Sequence, residues 1–158
     1  MTPELAHVCR GAGWLALVLP MLVGQVPARA ADAAPPDPFY RRASDCVAVM
    51  KRDVVVLKGR HDAGATQVRP QMLRLTELGF TFIGTAYKRG LRKELADALL
   101  LEAEKTQKAM STDGLRRLSG ECQAEGGKLL AKANVIERAL VANRAKARVD
   151  DLLSPGHS

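Results

Sequence analysis

Histidine, cysteine and aromatic side chains are scarce in this chain, and their scarcity narrows the chemistry open to it. Three histidines, three cysteines and one tryptophan occur in 158 residues, and aromatics make up 4%. Nucleophilic catalysis needs a serine or cysteine activated by a nearby base, and acid–base work favours histidine or paired carboxylates in a cleft. No such set is present. His157 stands in the final residues, and His61 follows an apolar stripe where a cation suits the end of a helix. The carboxylates are scattered over helix faces. No catalytic residue is therefore assigned, and the chain reads as a non-enzyme.

Metal and cofactor chemistry is equally thin. A structural zinc site takes four nitrogen or sulfur ligands at close spacing, and Cys46 and Cys122 are better used on each other. No Cys-x-x-Cys-His haem attachment motif occurs. A noncovalent haem held by His61 with Met50 or Met72 is the one arrangement the residues allow. Methionines at helical spacing are ordinarily core, so no metal and no cofactor is expected. The few aromatics also exclude a base-stacking platform for single-stranded nucleic acid.

Long hydrophobic runs are missing as well. The longest extends from Trp14 to Val26 and contains Pro20. At about 13 residues it falls short of the roughly 20 that a spanning helix needs. Arg10 precedes this run, and Ala28-Arg29-Ala30 follows it as a small-x-small site. That pattern predicts a secretory signal over residues 1–30, cleaved near Ala30, and no transmembrane segment in the mature chain. Cleavage leaves about 128 residues, which suits one domain. Removing two cations, Arg10 and Arg29, and one anion, Glu4, takes the formal charge from +7 to +6. The expected location is periplasmic or secreted. Cys9 leaves with the signal, and the remaining pair, Cys46 and Cys122, is expected to form a disulfide in an oxidising compartment.

What is abundant is helical periodicity. Residues 31–38 hold three prolines and read as a flexible leader. Phe39, Ala43, Cys46, Val47, Met50, Val54 and Leu57 recur in helical steps, and Gly64 is placed to end that helix. Thr66 is a candidate cap for a second helix with Pro70 in its first turn, running to Lys88. Gly79 and Gly84 in its interior predict close approach of a neighbouring backbone. Gly90 separates a third helix, about Leu91 to Met110, with Leu95, Ala98, Leu99 and one of Leu100 or Leu101 buried. Ser111-Thr112-Asp113 supplies caps for the next. From Thr112 to Leu153 no proline intervenes. Leu115, Leu118, Cys122, Gly126, Leu129, Ala133, Ile136, Leu140 and Ala147 predict one long helix, the wall against which the others pack. Residues 154–158 read as a disordered tail.

These elements predict an all-α domain over residues 39–153, an up-down-up-down four-helix bundle with a long C-terminal helix, cross-linked by one disulfide. Under that geometry the last helix runs past the first for roughly 25 Å. The overhang carries Arg138, Leu140, Arg144, Lys146 and Arg148, a candidate contact element that also allows a homodimer. Lys88, Arg89, Arg92 and Lys93 form a second candidate, a basic patch for phosphates or an acidic partner. Export argues against genomic nucleic acid. The leading expectation is an exported, non-enzymatic helical binding or stress-protection module, chaperone-like in kind, acting on a protein partner or an anionic envelope surface. The alternative is a small-ligand or haem carrier with a pocket between helices.

Overall fold

A computed structural model describes residues 37–154, and every regular element among them is helical. Helix α1 covers Pro38–Asp62. A short 3-10 turn, Thr66–Val68, leads into α2, Arg69–Lys88. Helix α3 is Lys93–Lys108, α4 is Thr112–Lys132 and α5 is Val135–Leu153. The expected signal lies outside the described residues, as do most of the leader and tail.

Local sequence explains where each helix starts and stops. The Asp37 carboxylate accepts from the Phe39 amide at 2.8 Å, with Pro38 in the first turn, so the final residues of the proline-rich leader form the start of α1. Gly64, at φ +96°, turns the chain after α1, and Gly90, at φ +98°, turns it after α2. Thr66 is not a cap. It opens the 3-10 turn, and α2 begins without a side-chain cap, with Pro70 in its first turn. The Ser111 hydroxyl accepts from the Gly114 amide at 3.1 Å and starts α4.

The expected single helix from Thr112 to Leu153 is two helices. Ala133 leaves the helical region at ψ 143°, and Asn134 caps a new helix. Its side chain accepts from the Glu137 amide at 2.9 Å, while Glu137 reaches back to the Asn134 amide at 3.2 Å. This reciprocal capping box stabilises a helix start that a continuous helix would forgo. The signal is present in the sequence as Asn134 followed three residues later by Glu137, with neither glycine nor proline to advertise it. The apolar stripe therefore holds through Leu129 and then loses its phase. Ile136, Leu140 and Ala147 face solvent, and α5 instead buries Ala145 and Val149.

The break also changes which helices are central. Helix α1 packs against α2, α3 and α4, whereas α2 packs against α1, α4 and α5. The α1/α2 pair, not the C-terminal helix, is the wall on which the rest is mounted. Its core holds Val49, Met50, Met72, Leu75, Leu78 and Phe82, all within 1% of complete burial. Each such side chain contributes about 1.5–3 kcal/mol to the gross stabilisation. Helix α3 adds Leu99 and Ala103, and its Gln107 side chain donates to the Asp45 carbonyl at 2.8 Å. Leu101 is on the outer face at 70% exposure, and Ala98 is exposed too.

Cys46 and Cys122 are bonded across α1 and α4 with Cα atoms 5.2 Å apart. The link closes a sequence separation of 76 residues. Next to it, α4 approaches α2 at Gly126, where a Cβ would stand 3.0 Å from Phe82 Cε2 and 3.2 Å from Leu78 Cβ. The close approach expected at Gly79 and Gly84 occurs here instead. A Cβ at either of those two would meet nothing within 4 Å.

Candidate functional site

The break at Ala133–Asn134 forms an elbow, and the elbow opens a cleft of about 410 Å³ between α2 and the α4–α5 junction. Helix α2 supplies one wall through Phe80, Gly84, Thr85 and Lys88. Leu129 and Lys132 close it from α4, and Glu137, Leu140, Val141 and Arg144 from α5. Two candidate groups that the sequence treats as separate thus meet here. Lys88 comes from the basic patch, and Leu140 and Arg144 come from the expected overhang.

The elbow's outer corner is apolar. Val135 is 72% exposed, Ile136 80% and Leu140 50%. Arg138, one residue past Glu137, is also exposed. Large aliphatic side chains are thus left in water beside several cations. Lys88 donates to Glu137 across the cleft mouth. That hydrogen bond, reinforced by the Asn134 amide, holds the Glu137 carboxyl below its ordinary value, so it stays ionised. Glu137 is committed twice, to Lys88 and to the helix cap.

The rest of the basic patch is spread over the α2–α3 turn and largely compensated. Arg89 lies 4.0 Å over the Phe39 ring and reaches Asp37 at 3.5 Å, while its carbonyl accepts from the Tyr40 hydroxyl. Arg89 therefore fastens the start of α1 to this turn. Lys93 pairs with Asp97 on its own helix. Arg92 is exposed at the start of α3. The four residues share a turn but do not converge on one concave site.

The overhang is absent in the form expected, because α5 lies along α2. Arg138, Leu140, Arg144, Lys146 and Arg148 are exposed on it. Lys146 donates to Asp150 at 2.8 Å, Arg69 of α2 also bonds Asp150, and Arg148 donates to Asp151 at 3.0 Å. Lys146 and Arg69 together hold the Asp150 carboxyl below its ordinary value.

A second groove, about 220 Å³, runs between α1 and α2 under the end of α5. It is lined by Met50, Val54, Leu75, Phe80, Ile83 and Leu152, with Gly79 opening one side. Its cations are neutralised: Lys51 bonds Glu104 at 2.7 Å, and Arg148 bonds Asp151. His61 and Met72 do not line it, so this groove does not bring together the residues considered for haem ligation. Among the described residues no group of three or more histidine, cysteine, aspartate or glutamate side chains is placed to hold a metal ion. No helix among them is long and apolar enough to cross a membrane.

No protein-family model, curated protein or solved structure matches the chain.

Proposed function

We propose that the protein is an exported, non-enzymatic binding module that docks on an anionic envelope surface through the α4–α5 elbow. The observation that carries this reading is the exposed Val135, Ile136 and Leu140 corner set beside Lys132, Arg138 and Arg144. Apolar side chains gain by entering a headgroup boundary, and neighbouring cations gain from its negative potential. Export is supported by the Arg10 to Ala30 signal pattern and by the Cys46–Cys122 disulfide, which persists in oxidising compartments. The alternating order of the helices, up and down in turn, is supported by cross-helix pairs such as Arg69 with Asp150 and Lys88 with Glu137.

Vesicle cosedimentation tests the docking. The oxidised protein is expected to bind vesicles containing anionic lipid, to bind zwitterionic vesicles far less, and to release with salt. Val135→Ser with Ile136→Ser is expected to abolish binding while leaving the circular dichroism spectrum intact. Equal binding to both vesicle types, or full binding by the double variant, overturns the reading. A stress-protection role has a separate signature, suppression of client aggregation that the same double variant loses. The carrier alternative is favoured by the cleft itself, which is concave and sits between helices.

A further inference from the structure

The elbow cleft combines an apolar floor with uncompensated positive charge, and we infer that it binds a single-chain anionic amphiphile. The acyl chain lies along Phe80, Leu129, Leu140 and Val141, and the anionic head sits between Lys132 and Arg144. This goes beyond surface docking, because it assigns a ligand class to a defined cavity and holds for a ligand taken from solution.

Charge selects the head group. Three cations and one carboxylate line the cleft, and Lys88 is already paired with Glu137. Lys132 and Arg144 have no acidic partner among the described residues. Two unpaired cations beside an apolar wall complement a ligand that carries both an anion and a hydrocarbon chain. The groove between α1 and α2 lacks this pairing of features, because Lys51 and Arg148 are bound to Glu104 and Asp151.

Shape points to the same place. Gly84 is exposed within α2, and a Cβ there would meet nothing within 4 Å. A glycine inside a helix weakens it, yet here no neighbouring backbone needs the space. The missing side chain keeps the cleft open along α2. A volume of about 410 Å³ lies within the range of small-molecule sites. An amphiphile in solution and a lipid whose chain is drawn from a bilayer offer the same chemistry, so the test separates them.

Calorimetric titration of the oxidised protein with dodecanoate, below its micelle concentration, reads the site directly. Saturable one-to-one binding is expected. Decyl maltoside monomers, which lack the charge, and inorganic phosphate, which lacks the chain, are each expected to bind at least about tenfold more weakly. Gly84→Leu fills the cleft at an exposed helical position and is expected to abolish dodecanoate binding without lowering the melting temperature. Lys132→Gln with Arg144→Gln is expected to weaken binding and remove its salt dependence. Gly79→Leu, in the other groove, is expected to leave binding intact. The inference is overturned if dodecanoate does not bind saturably, if phosphate binds as tightly, or if Gly84→Leu binds normally. It is also overturned if Gly79→Leu, not Gly84→Leu, removes binding. Vesicle docking is scored separately: wild-type protein that takes dodecanoate but ignores anionic vesicles rejects the docking surface and keeps the cleft.

Discussion

Gly126 and Gly84 are both helical glycines, one on α4 and one on α2, and they have opposite surroundings. Around Gly126, a methyl group would stand 3.0 Å from Phe82 Cε2 and 3.2 Å from Leu78 Cβ and would fit only if they gave way, and the Cys46–Cys122 bond lies one turn away. Around Gly84 there is open space, bordered by cations and exposed aliphatic residues. The same residue type lets two helices approach in one region and leaves a gap unfilled in the other. The disulfide region is built to hold α1, α2 and α4 in one arrangement, and the elbow is built to leave surface available.

Cutting the covalent link has the largest expected effect. By the chain-entropy account, a bond closing a loop of this length contributes about 4–5 kcal/mol. Cys46→Ser with Cys122→Ser is expected to lower the melting temperature by more than about 10 °C, read by circular dichroism. An unchanged melting temperature would remove the distinction between a locked and an open region.

The two glycines themselves give the next test. Gly126→Leu is expected to cost about 3 kcal/mol, because Leu78 Cβ is fixed to the α2 backbone and Phe82 is fully buried. Gly84→Leu is expected to stabilise by about 0.5–1 kcal/mol, through helix propensity in open space. Denaturant titration of both variants checks the sign. Destabilisation of similar size at both positions would mean that the cleft is filled in solution.

The smallest expected effect is the response to acid, and it differs in sign between the regions. Burial raises the Asp45 carboxyl on α1, against the lowering influence of Arg42 and Arg41. Its ionised form is therefore penalised in the folded protein, and that penalty is relieved as pH falls through its raised folded value. Asp45→Asn is expected to raise stability slightly at about pH 7, with the gain vanishing below its ordinary value of 3.8. Glu137 is lowered by Lys88 and the Asn134 amide, so its contribution is complete above its ordinary 4.5 and is lost as pH falls through the lower folded value. Glu137→Gln is expected to speed amide exchange at the start of α5 at about pH 7, with the difference from wild type gone at about pH 2.

Much of the fold is legible in the residues. The helix over Pro38–Asp62, its end at Gly64, the break at Gly90 and the Ser111 cap follow from local rules of backbone geometry and capping. The Cys46–Cys122 pairing follows from their places on two apolar stripes. The elbow is less visible, because its signal is two polar residues, Asn134 and Glu137, inside a stretch whose apolar spacing continues across it. The cleft is not visible at all from sequence. Lys88, Leu129 and Arg144 belong to three helices, and periodicity within a helix carries no information about which helices will face one another.

Local interactions therefore determined, from sequence alone, that the described chain is helical and where most of its helices begin and end, since each depends on residues within a turn or two. Tertiary packing decided that α1 and α2 form the central pair, that Gly126 rather than Gly79 or Gly84 marks the close approach, and that α5 lies along α2. Those outcomes depend on which buried faces fit together across long sequence separations, and that fit is a property of three-dimensional shape.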